Sequence, residues 1–227
     1  MQTFVPAAGG WESAVEQWEC ELVSSLVEQL LYVLTSEGAG ARSGPSTSQT
    51  GQRSTESERD SAILASLDFQ ADDGEPQQGA VRSPQEDAEL APLLEVLLPD
   101  ASEDPLTAVE VASMEREHLR SLKADRARLL LLQLREPSGQ EVRVRVEQGQ
   151  EQEWLGAVND LRLVLAQRLG IESAEDAEEA HAVAWEDPPR QESEEARSRR
   201  AMSMVYDMLT WWQESLLTVM LSDDAPA

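Results

Sequence analysis

Apolar and polar residues alternate along this chain at two different periods, and the periods mark its elements. Thr3-Phe4-Val5 and Trp11 to Val15 flank a small-residue turn containing Gly9-Gly10, which predicts a short hairpin. From about Glu16 to Leu34, Trp18, Leu22, Leu26 and Leu30 fall at helical spacing. Val23, Val27, Leu31 and Leu34 widen that stripe as a core-facing helix requires, and Gly38 and Gly40 follow it as a stop. Glu89 to Leu98 predicts a short apolar helix halted before Pro99. Asp104-Pro105 reads as an N-cap followed by proline at the first helical position. The long helix it opens should reach about Leu132, with Leu119, Leu122, Leu129 and Leu130 facing inward. After a turn at Pro137-Ser138-Gly139, Glu141 to Glu147 alternates Val142, Val144 and Val146 with Arg143 and Arg145, the period-two signature of a half-buried strand.

The next helix, Trp154 to Gly170, carries arginine where an apolar residue is expected. Trp154, Val158, Leu161, Leu165 and Leu169 form one stripe, Arg162 falls inside its arc and Arg168 at its edge. A guanidinium buried without a partner costs several kcal/mol, so both arginines are expected in buried or half-buried ion pairs that fix helix register. Asn159 and Asp160 are expected to cap or to bridge to another helix. Gly170 is placed as a C-cap. The last helix spans about Arg197 to Ser222, with Ala201, Val205, Met208, Leu209, Trp212, Leu216 and Val219 as its buried face and Trp211 pointing away from it.

Two stretches lack such patterning. Residues 36–88 are rich in Ser, Thr, Gly and Gln and read as a disordered insertion, with a small apolar island at Ile63, Leu64, Leu67 and Phe69. Residues 172–196 read as a second, acidic insertion broken by Pro188-Pro189. The expected fold is therefore mainly α: one domain made of residues 1–35 and 89–222, a bundle of four to five helices with a small antiparallel β element, interrupted by two polar, disordered insertions.

Charge narrows the function. At −26 formal net charge and pI near 4.2, the chain would repel free DNA unless a basic face were segregated or a partner intervened. Lys123 is the sole lysine, which points to a high-GC genome. No stretch approaches the roughly 18 apolar residues of a membrane span, and the N-terminus lacks the basic and apolar regions of a signal peptide. A single cysteine, Cys20, excludes an intramolecular disulfide, and the chain is expected in the cytoplasm.

Candidate chemistry is sparse. His118 and His181 stand apart, without cysteine or a second histidine at metal-ligand spacing. No phosphate-binding glycine loop, nucleophile elbow or Cys/His pair occurs, so no catalytic residue, metal or cofactor is expected, and the chain is not expected to be an enzyme. Cys20, at the boundary of the first helix, is the candidate redox residue, although an inert thiol is the plainer reading. Arg116, Arg120, Lys123, Arg126 and Arg128 form a candidate docking stripe for an acidic partner or DNA, against the plainer reading of ion pairs with Glu115, Glu117 and Asp125. A second run, Arg190, Arg197, Arg199 and Arg200, precedes the last helix. Neither run interleaves aromatics, as single-strand binding would need.

WLGAVNDLRLVLAQRLGI resembles the hallmark motif of the actinobacterial AosR family of oxidation-sensing transcriptional regulators. WECELVSSLVEQLLYVL, DPLTAVEVASMEREHLRSLKADRARLLLLQL and MVYDMLTWWQESLLTVML resemble, in order, its first, central and C-terminal helices. The resemblance places Trp154, Asn159, Asp160, Arg162 and Arg168 in the family's motif, and implies an oxidative-stress-responsive regulator that acts with a sigma factor at promoters. The acidity favours protein contacts with sigma factor or RNA polymerase over direct DNA binding. With one cysteine, oxidant sensing would need an intermolecular disulfide, a sulfenate, or oxidation of a methionine such as Met202, Met204 or Met208. A redox-inert helical adaptor or homodimer, and a direct DNA binder using the arginine stripe, are the competing readings.

Overall fold

A computed structural model of the chain describes residues 1–36, 84–99, 108–135, 142–187 and 191–222. Strands β1 (Val5–Ala7), β2 (Gly10–Val15) and β3 (Val142–Glu147) form one antiparallel sheet in the order β1-β2-β3. Around it lie α1 (Gln17–Ser36), α2 (Pro84–Leu97), α3 (Ala108–Arg135), α4 (Glu151–Leu169), α5 (Ala174–Trp185) and α6 (Glu194–Leu221). The fold is mainly helical with a small antiparallel sheet, as expected. The predicted N-cap at Asp104-Pro105, the turn at Pro137 to Gly139 and the apolar island at Ile63 to Phe69 lie outside the described residues.

The hairpin turns at Gly9, whose φ of +77° strains any residue with a Cβ. At Gly10 the limit is space, because a Cβ there would collide with the Val146 carbonyl across the β2–β3 pair. Register runs from Gly10 opposite Glu147 to Val15 opposite Val142, turning Trp11, Ser13, Val144 and Val146 inward. On the open face Arg143 and Arg145 both reach Glu12, at 3.7 and 3.3 Å.

α4 is the central helix, packing against α1, α2, α3, α6 and β3. Its Trp154 meets Trp212 of α6 edge-on at 4.9 Å and Phe4 at 5.1 Å, and Phe4 stacks on Trp212 at 5.6 Å. Trp212 Nε1 donates to Ser13 Oγ at 2.9 Å, so this cluster ties α6 to the sheet. Gly170 ends α4 in the left-handed conformation, with the Ile171 amide returning to the Ala166 carbonyl at 2.9 Å. α1 packs on α3, where Ala124 and Ala127 are buried and let the two backbones approach.

Several expectations about facing are overturned. Trp18 does not belong to the core stripe of α1, because Cys20, Val23, Val27, Leu30 and Leu34 take the inward face and leave Trp18 56% exposed. Leu122 and Ala201 are likewise exposed, since α3 and α6 turn neighbouring positions inward. α2 begins at Pro84, inside the stretch expected as insertion, with proline again at the start of a helix. The acidic stretch 172–196 is not structureless: it contains α5 and the first turn of α6. Its helix starts from a capping box, in which Ser173 Oγ accepts from the Asp176 amide while Asp176 accepts from the Ser173 amide. Ala180 and Ala184 bury its inner face, and Arg200 of α6 donates to the terminal carbonyls of Val183 and Glu186 at 2.8 and 2.6 Å.

Candidate functional site

The motif arginines are spent on the fold, in a different manner from the ion pairs expected. Arg162 Nε donates to Thr210 Oγ1 at 2.9 Å and Nη1 to Gln213 Oε1 at 2.8 Å, while its guanidinium lies 5.4 Å from the Tyr206 ring centroid. Neutral oxygens and an aromatic face of α6, rather than carboxylates, receive the charge. Arg168 is half-buried with no ionic or hydrogen-bonded partner among the described residues, and burial lowers its pKa. Asn159 faces solvent. Asp160 bridges to another helix: it is buried and forms an ion pair with Lys123 of α3. Burial raises the Asp160 pKa, against the Lys123 hydrogen bond and the charges of Lys123 and Arg126.

That pair also breaks up the docking stripe. Lys123 points inward to Asp160, and Arg126 packs across Gly156 of α4, its guanidinium filling the space a Cβ would take. Arg116 and Arg120 are half-buried, Arg120 lying 3.8 Å from Glu117, and Arg128 is exposed but bonded to Asp125 at 2.7 Å. In the second run Arg200 is bonded to Glu192 and the end of α5, whereas Arg197 and Arg199 are exposed and Arg190 lies outside the described residues. Cys20 is buried, with Sγ donating to the Leu134 carbonyl at 2.9 Å. Burial is the main reason its thiol pKa is raised, Ser24 opposing and Glu21 adding to the rise.

The feature with capacity for a ligand lies elsewhere. α1 packs on α3 and α6 packs on α4 and α5, but α1 and α6 do not pack closely together. Between them is a groove of about 920 Å³, floored by Leu26 of α1 and Leu165 of α4. The α6 wall is methionine-rich, with Met202, Met204, Val205 and Met208. Its position follows from the helical period: Leu209 and Trp212 turn to the core, which leaves Met204, Met208 and Trp211, at i, i+4 and i+7, on the groove side.

Three tryptophans stand at the groove with much of their rings in solvent: Trp18 at 56%, Trp185 at 68% and Trp211 at 43% exposure. Two are fixed by their indole N–H. Trp18 donates to Glu16 at 2.6 Å, and Trp185 to Asp207 at 2.8 Å. Asp207 also meets His181 Nδ1 at 2.8 Å. A carboxylate on a histidine Nδ1 is the orienting half of a nucleophilic triad, but among the described residues no hydroxyl or thiol is bonded to His181. Nor do any three His, Cys, Asp or Glu among them converge as a metal site. Among the described residues the charged groups lining the groove are Glu21, Asp207 and Glu19, the last in an ion pair with the Met1 ammonium, with no lysine or arginine.

Sequence reasoning anticipates Trp211 as an outward residue but misses the groove. Helical spacing puts Trp18 in the core, and Trp185 falls within a stretch that reads as insertion. A tryptophan in an otherwise acidic, polar segment is the available signal, since such a ring needs a surface to rest on.

The architecture thus defines a small helical domain built around one central helix, with an open apolar groove rather than a closed polar pocket. The chain belongs to the DUF2017 family, a domain of unknown function, whose model matches residues 1–220. No curated protein and no solved structure matches the chain. No helix among the described residues is long and apolar enough to cross a membrane.

Proposed function

We propose that the protein is a non-enzymatic regulator of transcription that responds to oxidative stress and works through protein contacts with sigma factor or RNA polymerase. One observation carries the protein-contact part: a long apolar groove bordered by Trp18, Trp185 and Trp211, all exposed. Exposed aromatic and methionine side chains grouped on one face characterise protein interaction surfaces. The transcriptional and oxidative part rests on the resemblance of the α4 motif and its flanking helices to the AosR family. Direct DNA binding draws little support, because Lys123, Arg126 and Arg128 are turned to Asp160, Gly156 and Asp125. The arrangement of sulfur bears on sensing: Met204 is 46% exposed and Cys20 only 6%, so peroxide reaches the groove thioether first.

The test is direct binding of the purified chain to RNA polymerase core, to individual sigma factors and to promoter DNA, before and after peroxide treatment. The expected result is association with a sigma factor or holoenzyme that changes with oxidation, and negligible DNA affinity even at low salt. Absence of any polymerase or sigma association in both redox states would overturn the proposal.

A further inference from the structure

The geometry points to an amphipathic helix with a basic flank, presented by a protein partner, as the occupant of the α1–α6 groove. This rests on the protein-contact reading above and gives that contact a chemistry. The α6 wall runs from Ser198 to Trp211, a length of about 20 Å at the helical rise of about 1.5 Å per residue. The groove is open to solvent along that length, so the ridge of side chains on one face of a helix can lie in it.

The walls favour the same occupant. Unbranched methionines adapt to different apolar knobs, and tryptophans at the rim supply large rigid contact area. Charge then selects the flank. Glu19 is neutralised by the Met1 ammonium, but Glu21 and Asp207 line the groove without a lysine or arginine among the described residues, in a chain of net charge −26. An acidic helix would be repelled there, and a basic one drawn in and oriented. A second copy of this chain would bring its own negative charge to the contact.

The experiment titrates the intact chain with a helical Leu/Lys peptide of about 14 residues, matched to the groove length, and follows tryptophan emission and heat. A Leu/Glu peptide of the same pattern and a Leu/Lys peptide of scrambled pattern serve as controls. Saturable one-to-one binding of the patterned Leu/Lys peptide is expected, with both controls at least about tenfold weaker. Trp185→Ala and Trp211→Ala should each weaken binding about tenfold at unchanged circular dichroism, because exposed rings contribute little to folding. Glu21→Lys should weaken the Leu/Lys peptide and strengthen the Leu/Glu one. Equal binding of the scrambled peptide would mean bulk charge attraction and overturn the inference, as would equal binding of the Leu/Glu peptide. A dimer by sedimentation equilibrium that Trp211→Ala abolishes would make a second copy the occupant and overturn it too. Peptide binding without any polymerase or sigma association leaves the inference standing and removes the transcriptional reading. Polymerase association untouched by both tryptophan variants, with no peptide binding, does the reverse.

Discussion

Lys123→Met should damage the helical core markedly, although it removes a charge and adds an apolar side chain. Asp160 is 2% exposed and its Oδ1 is held by Lys123, while Oδ2 has no hydrogen-bond partner among the described residues. Without the ammonium, a buried carboxylate is left with Arg126 as its nearest opposing charge. Breaking a buried pair from one side costs about 3–5 kcal/mol, and Arg126 places the expectation near the lower end, about 3 kcal/mol. Asp160→Asn should cost less, about 1–2 kcal/mol, because the Lys123 side chain is 12% exposed and its flexible stem can carry the charge outward.

The double change Lys123→Met with Asp160→Leu, whose branched end has the shape of the carboxylate, should return to within about 1 kcal/mol of the parent. Urea unfolding followed by far-ultraviolet circular dichroism measures all four proteins. The pH dependence has a fixed sign. Burial raises the Asp160 pKa in the folded state, so the folded chain binds that proton more tightly than the unfolded one. Its stabilising contribution is full below the ordinary carboxylate pKa and is lost as pH rises through the folded value. Lys123→Met removes two influences that hold the pKa down, so its deficit should shrink as pH falls from 7 toward about 5. A Lys123→Met protein within about 1 kcal/mol of the parent, or a double variant no better than the single, would refute the reasoning.

Three further outcomes follow from local geometry. Arg162→Lys keeps the charge but cannot reach Thr210 and Gln213 together, and should lower unfolding stability by about 2 kcal/mol in the same urea assay. Cys20 should react with an aromatic disulfide reagent only slowly in the folded chain, and rapidly once urea exposes it; fast native labelling would contradict its burial and raised pKa. Asp176 is held below its ordinary pKa by Ser173 Oγ and the Glu172 and Ser173 amides, so its contribution is present above the unfolded value and lost as pH falls through the folded one. Amide exchange in the first turn of α5 should therefore be faster in Asp176→Ala near neutrality, with the difference vanishing in strong acid.

What the sequence discloses and what it conceals divide by range. α4 is legible almost to the residue, because the Trp154, Val158, Leu161 and Leu165 stripe and the left-handed Gly170 cap are local signals. β3 is legible for the same reason. α1 carries two adjacent apolar stripes, one through Trp18 and Leu22, the other through Val23 and Val27. Which of them sinks depends on where α3 lies, and that information sits about a hundred residues away. α5 is hidden by composition: AEDAEEAHAVAW is too rich in alanine and acid to show periodicity, although its Ser173 to Asp176 capping box is a local mark available to read. A carboxylate is the expected partner of Arg162 because charge is the simplest inference, and the actual answer, two neutral oxygens on α6, needs the helix packing. The groove leaves only single-residue traces, the outward Trp211 and the lone Trp185, because the gap itself is set by how α1 and α6 pack on other helices.

This division assigns different jobs to the residues that carry the family resemblance and to those that could serve a partner. Trp154, Asp160 and Arg162 are turned into contacts with α6, the sheet and α3, so substitutions there should act first on folding. Trp18, Trp185 and Trp211 contribute much less buried area to the chain itself, and their substitution should leave the unfolding midpoint nearly unchanged. Loss of partner binding at constant stability is thus a signature that a motif variant cannot produce and a groove variant should. If folded Arg162→Lys protein failed to bind the partner while Trp185→Ala and Trp211→Ala still bound it, the partner would sit on α4 and the groove would be removed from consideration.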